Sequence, residues 1–205
     1  ASQGTAWNLV LADINADGLH AAFTPNARLL LRAMDVRDPA QWQRLVDETL
    51  GAFGRIDYLL NIAGAGRPNF FLSQPLENID WIVDLNLKAP LYGMRIVGEI
   101  MVRQGSGQII NVASLAGLTP TPGTSLYSAA KGGLRLASIA AAVELRKQGV
   151  YVTTISPDVV DTPLSRSHLT PGATQYGLIN SGVKLSVVDL ERAFWRAMRD
   201  RPFEI

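Results

Sequence analysis

Short apolar, β-branched runs alternate with segments of helical period along the whole chain. Asn8 to Ala12 (NLVLA) has the unbroken apolar character of a strand covered on both faces, and Asn15 to Phe23 follows with helical spacing. Leu29 to Met34 is the next strand. Asp38 and Pro39 form a helix start, and Trp42, Leu45, Val46, Leu50 and Phe53 recur at helical intervals until Gly54 stops the pattern. Further strands are expected at Ile56 to Ile62, Gly107 to Ala113 (GQIINVA) and Val150 to Ile155, with another beginning at Phe203. Helices are expected at Asn78 to Met101, Ser125 to Gln148 and Ser186 to Met198. Strands separated by helices are joined by right-handed crossovers, so the pattern predicts an α/β fold, a doubly wound parallel sheet with helices on both faces. No repeat or linker divides the chain, and residues 1–205 read as one domain. Pro157 to Leu185 stands apart: it is rich in Ser, Thr, Pro and Gly and has no period, the composition of a lid or binding loop.

Composition narrows the function. The 205 residues are 47% hydrophobic, enough for a sizeable core. Nineteen Lys and Arg against eighteen Asp and Glu leave a formal charge of +1, which gives no electrostatic footprint for nucleic acid or an anionic membrane. Binding must then come from a shaped site. The charged fraction is 18%, below the roughly 25% of ordinary soluble domains, which points to outer surface covered by another subunit. The absence of cysteine excludes a disulfide scaffold, a thiolate metal site and a Cys nucleophile. His20 and His168 have no partner at ligand spacing, so no metal is expected, and packing is the default role of Trp7, Trp42, Trp81 and Trp195. No run reaches the ~18 apolar residues of a membrane helix and no basic-then-apolar signal opens the chain, so a soluble protein is expected.

In doubly wound sheets ligands bind outside the carboxyl ends of the strands. Four groups fall there or on adjoining helices. Tyr127 and Lys131 (YSAAK) lie four apart on a helix and project from one face. A tyrosine titrates near ~10, and bringing it to about 7 takes roughly 4 kcal/mol of phenolate stabilisation, much of which an ammonium can supply. Taken alone, the spacing also describes an incidental surface pair. Ser114 ends GQIINVAS, where a hydroxyl can hydrogen-bond a substrate carbonyl. Asn61-Ile62-Ala63-Gly64 ends another strand with small residues that admit a flat ligand, or simply make a tight turn. Asn86 precedes Pro90, which has no N–H for the carbonyl four residues back. That carbonyl, belonging to Asn86, can hold a water, or the feature is an ordinary proline kink.

Together these residues resemble the short-chain dehydrogenase/reductase family in its classical form. NIAG (61–64) stands where that family has Asn-Asn-Ala-Gly, followed by Asn86 in NLKAP, Ser114 in NVAS and Tyr127 with Lys131 in YSAAK. Ile155 to Thr162 (ISPDVVDT) is similar to the family's Asn-Pro-Gly-x-Val-x-Thr, departing at Ser156 and Asp158, the latter standing where a glycine lets the backbone approach the nicotinamide carboxamide. The resemblance implies a Rossmann-like oxidoreductase that moves a hydride between NAD(H) and a secondary alcohol or ketone. Tyr127 would be the general acid or base, Lys131 would lower its pKa and bind the nicotinamide ribose, and Ser114 would position the carbonyl. Asn86 would hold a water through its main-chain carbonyl. Asn61, Ala63, Gly64, Pro157, Val160 and Thr162 would contact the cofactor, and Asp35 with Val36 the adenine. Asp13, ending LVLAD, would read the adenosine ribose and repel a 2'-phosphate, favouring NAD over NADP, unless it is only a helix cap. The family also implies a cytoplasmic homodimer or homotetramer packed through the helices carrying Asn86 and Tyr127. The Tyr127 helix continues GGLRLASIAAAVEL, apolar nearly all round and therefore expected to be buried on both sides.

The family opens with a strand and a Thr-Gly-x-x-x-Gly-x-Gly turn that carries the pyrophosphate. Here Ala1-Ser2-Gln3-Gly4 resembles the end of the helix after that turn, so the first strand and its glycines are absent from the sequence, and Phe203-Glu204-Ile205 falls inside the last strand. In the family's strand order, 3-2-1-4-5-6-7, the absent strand separates Asn8–Ala12 from Ile56–Ile62. The two are therefore expected about 9 to 10 Å apart, without direct hydrogen bonds. Alternatives to the oxidoreductase reading are a nucleotide-retaining isomerase or dehydratase of the same superfamily and a non-catalytic regulatory member.

Overall fold

The computed structural model describes residues 7–119, 122–162 and 184–205. β1 (Leu9–Asp13) leads to α1 (Ala16–Ala22), β2 (Leu29–Ala33), α2 (Pro39–Phe53) and β3 (Tyr58–Asn61). Then α3 (Glu77–Val83), a π-turn (Asp84–Lys88) and α4 (Ala89–Gln104) run on without a break. β4 (Gly107–Val112), a 3-10 turn (Leu115–Gly117), α5 (Ser125–Leu145), β5 (Val150–Ile155) and α6 (Val187–Asp200) complete the order.

Local chemistry explains where the helices begin and end. Asp38 accepts the Ala40 N–H in front of Pro39, and Gly54, at φ 76°, closes α2 in the left-handed region. Ser186 and Asp189 form a reciprocal capping box at α6. The single helix expected over Asn78 to Met101 with a proline kink is corrected in form. Pro90 cannot donate to the Asn86 carbonyl, and the chain absorbs the missing donor in a π-turn, where the Ala89 N–H bonds the Asp84 carbonyl five residues back.

All the strand ladders are parallel. β1 pairs with β2, and β3, β4 and β5 pair in that order, with Leu59 opposite Ile109 and Ile109 opposite Val152. Among the described residues no ladder joins β1 to β3, as expected. Where a strand is expected from Phe203, residues 203–205 run alongside β5 as an isolated parallel bridge, Thr154 opposite Glu204, with the Thr154 N–H bonded to the Phe203 carbonyl at 2.9 Å. Successive residues of β4 feed opposite layers. Ile109 joins Trp42, Val46, Val97, Met101 and Leu134 beneath α2, α4 and α5, whereas Ile110 joins Ile155 and Ala197 beneath α6.

Within the chain α5 buries one side only, through Ala130, Leu134, Ser138 and Ala142, while Leu136 and Val143 are each 65% exposed. Among the described residues no helix is long and apolar enough to cross a membrane, and no group of His, Asp and Glu could hold a metal ion. Of the residues singled out from the sequence, Ala1 to Gly4, His168 and most of the loop from Pro157 to Leu185 lie outside the described residues.

Candidate active site

A cavity of about 290 Å3 opens at the carboxyl ends of β3, β4 and β5, where the doubly wound pattern places a ligand. Gly64, Ser114, Tyr127, Lys131, Pro157, Val160 and Thr162 all line it. Its other walls are mostly apolar, including Ile62, Val112, Leu115 and Leu190.

Close backbone packing brings Ser114 to Tyr127. The 3-10 turn after β4 lies directly on α5, where a Cβ on Gly117 would meet the Gly132 nitrogen at 2.7 Å and the Lys131 carbonyl carbon at 2.8 Å. Only glycine allows that approach. With the turn seated there, Ser114 and Tyr127 line the same cavity, and the Ser114 hydroxyl accepts the Ala116 N–H at 3.2 Å. One helical turn on, Lys131 is buried and its Nζ donates to the Val112 carbonyl at 2.8 Å. The expected convergence of Ser114, Tyr127 and Lys131 on one cleft is therefore present.

The electrostatics differ from those the resemblance implies. Burial pushes the Tyr127 phenol up from its usual value, and the Ser114 hydrogen bond offsets only part of that. The Lys131 ammonium is pushed down to about 8 by burial. Its Nζ lies 5.7 Å from the centre of the Tyr127 ring and is turned towards Val112, so it does not hold the phenol low. The expected lowering of Tyr127 by Lys131 is corrected accordingly.

Asn86 is fully buried in the π-turn. Its Nδ2 donates to the carbonyls of Ala65 at 2.8 Å and Ile82 at 3.0 Å, and its Oδ1 accepts the Ala65 N–H at 3.2 Å. Asn86 thus pins the loop after β3 to the helix beneath it. Gly64 sits in the resulting cleft, where a Cβ would come within 2.9 Å of Asn86 Oδ1 and 3.0 Å of Lys131 Nζ. The Asn61 side chain points the other way. It shares a face with Leu59 and is opposite Asn111, to whose Oδ1 it donates at 2.8 Å, and Asn111 in turn donates to Ser138 at 2.8 Å. This buried chain of amides ties β3 and β4 to α5, which leaves the main chain as the part of Asn61 that can face a ligand.

The remaining sequence candidates lie beside the cavity or outside its lining. Asp13 ends β1 and its Oδ1 accepts the Asn15 N–H at 2.8 Å, while the cap of α1 is Asn15. Asp35 follows β2 and is held by the Arg37 guanidinium at 2.6 Å, which keeps its carboxyl below the usual carboxylate range. The Val36 carbonyl accepts Trp42 Nε1 at 2.8 Å. Asp158 lines the cavity and its carboxylate accepts the Val159 N–H at 2.8 Å. Among the described residues only Arg201 has a positive φ without being glycine, so Asp158 adopts backbone geometry open to any side chain. Ser156 faces away, donating to Glu204, which also pairs with Arg135. Arg67, Gln74 and Thr124 line the cavity without having been found in the sequence. They carry no motif, because loop residues are brought to a site by contacts distant in sequence.

The geometry can be set beside known proteins. A family model described as short chain dehydrogenase matches residues 3–171. Among curated proteins, 2,5-dichloro-2,5-cyclohexadiene-1,4-diol dehydrogenase of Sphingobium indicum is 35% identical over 156 residues, 76% of this chain and 59% of that protein. The 3-oxoacyl-[acyl-carrier-protein] reductase of Synechocystis sp. is 34% identical over 167 residues, 82% of this chain and 64% of that protein. The chain spans 54% to 64% of the length of the curated relatives it matches. In three dimensions, levodione reductase superposes with a TM-score of 0.80 at 30% identity, covering 91% of this chain and 80% of that one. A short chain dehydrogenase/reductase from Burkholderia phymatum in complex with NAD also gives a TM-score of 0.80, at 26% identity, covering 97% of this chain and 79% of that one.

Proposed function

The chain belongs to the short chain dehydrogenase family, and we propose that residues 1–205 work as one Rossmann-like unit, a cytoplasmic oxidoreductase that moves a hydride between NAD(H) and a secondary alcohol or ketone. The observation that carries this reading is the convergence of Ser114, Tyr127 and, one helical turn away, the buried Lys131 on the lining of one largely apolar cavity. The residues fit a nicotinamide nucleotide. Lys131 is buried and, among the described residues, makes one hydrogen bond, to Val112, which leaves further donors of its ammonium for ribose hydroxyls, and Gly64 leaves room for a flat ring. When bound, that nucleotide supplies or accepts the hydride. The chain's own residues handle the proton. A phenol kept protonated by burial is suited to give its proton to the carbonyl oxygen as negative charge develops there, and Ser114 can hydrogen-bond the same oxygen. Lys131, anchored at the Val112 carbonyl, would orient the nicotinamide ribose beside the phenol.

Asp13 supports NAD. One carboxylate oxygen is occupied by the Asn15 N–H, and the other is available to a ribose hydroxyl and repels a 2'-phosphate. Asp13→Ala is expected to narrow the ratio of kcat/KM for NAD over NADP by at least about tenfold. A parent protein that prefers NADP would leave Asp13 as a turn residue only. The exposed apolar stripe on α5 supports a homodimer or homotetramer. Light scattering at micromolar concentration should return a multiple of the 22.2 kDa chain mass, and a monomer would contradict the assembly.

A further inference from the structure

Arg67 stands at the rim of the cavity in an arrangement that the proton-transfer chemistry does not use. Its guanidinium lies over the Trp81 ring, 3.9 Å from the centre. Nη1 donates to Oδ1 of the buried Asn78 at 2.7 Å. Asn78 donates to Gln74 at 3.0 Å, and Gln74 donates back to the Arg67 carbonyl at 2.9 Å. Three side chains thus close a ring that fixes the arginine from both ends. No described Asp or Glu pairs with it, although ten ion pairs are formed elsewhere among the described residues. Among the described residues Arg67 is stacked, tethered through one Nη1 hydrogen bond and paired with no carboxylate, which keeps the rest of its planar donor edge for a ligand.

Resting on the oxidoreductase reading, we propose that Arg67 selects substrates that carry a carboxylate at the end remote from the reacting carbon. The cavity between Ser114 and Arg67 is walled largely by apolar side chains, so the body of such a substrate is a hydrocarbon chain or ring. The reacting carbonyl sits at Tyr127 and the carboxylate at the guanidinium. Because the stacking and the hydrogen-bond ring already hold Arg67 in place, little side-chain entropy is lost when the anion binds. The lining residue Gln74 belongs to the same ring, so its amide is committed to holding the arginine.

The test compares a keto acid with its ester in the parent protein, Arg67→Gln and Arg67→Lys. The probes are 7-oxooctanoate and methyl 7-oxooctanoate, with kcat/KM measured as consumption of NADH and Kd by calorimetry. The parent should prefer the acid by roughly 10- to 100-fold, the effect of one charge-assisted contact. Arg67→Gln should erase that preference while leaving the ester within about threefold, and Arg67→Lys should retain part of it. An acid no better than the ester in the parent, or a preference that survives Arg67→Gln, overturns the proposal and leaves the oxidoreductase reading standing. A loss shared equally by acid and ester in both variants makes Arg67 a latch for its loop and also overturns it. Lack of NADH consumption with either probe counts against the oxidoreductase reading, and the ratio of the two Kd values then decides the role of Arg67 separately.

Discussion

Replacing Tyr127 by phenylalanine is expected to lower kcat by roughly 10^2- to 10^4-fold while leaving nucleotide affinity within about twofold. The change removes one oxygen from a half-buried ring. That oxygen shares the cavity with Ser114, and the phenol is held protonated by its surroundings. Phenylalanine fills the same space, so packing is preserved and the loss falls on the chemical step. Steady-state kinetics paired with calorimetry of nucleotide binding separates the two effects. A variant turning over within tenfold of the parent would mean that the proton comes from elsewhere.

The second large effect concerns Lys131 and appears in stability as well as in turnover. A lysine that titrates at 10.5 in the unfolded chain titrates near about 8 in the folded protein because burial penalises the charged form. Between those values the unfolded chain holds more protons, so the stability of the parent rises with pH. The penalty is complete below pH 8 and is relieved as the pH approaches 10.5. Lys131→Met has no such group. Urea unfolding should therefore show the parent gaining roughly 2 kcal/mol relative to Lys131→Met between about pH 7 and 9.5. Turnover should also fall in the variant, because no ammonium then holds the nicotinamide ribose. Parallel stability curves would place the Lys131 ammonium in water rather than in the protein interior.

Much of this architecture is legible in the chain. The α2 start at Asp38-Pro39 and its stop at Gly54 are local signals, set by a missing N–H and a positive φ, and they survive into the fold unchanged. The three catalytic candidates are legible because they sit at a strand end and on one helical face. What was not legible arises between elements. Pro90 announced a missing hydrogen bond, but the π-turn packs against α5, a contact between elements that the local spacing does not encode. Asn61 belonged to a motif read as cofactor-facing, yet the two-residue period of β3 places it with Leu59 against the helices, a signal that was present in the sequence. The Tyr127 shift depends on burial and on where the Lys131 ammonium points, neither of which spacing encodes. Arg67 reaches Trp81 across fourteen positions of loop and helix, beyond any local period.

The measurement that bears most directly on the account is the fate of a deuterium label. Secondary alcohols deuterated at the carbinol carbon would be screened with NAD and the protein, and the nicotinamide recovered for mass spectrometry. Reduced nicotinamide is expected to accumulate with one deuterium at C4 for each ketone formed, and Tyr127→Phe is expected to abolish this accumulation. Rearranged or dehydrated product without accumulated reduced nicotinamide, or nucleotide binding with no label transferred from any alcohol in the screen, would contradict the oxidoreductase reading.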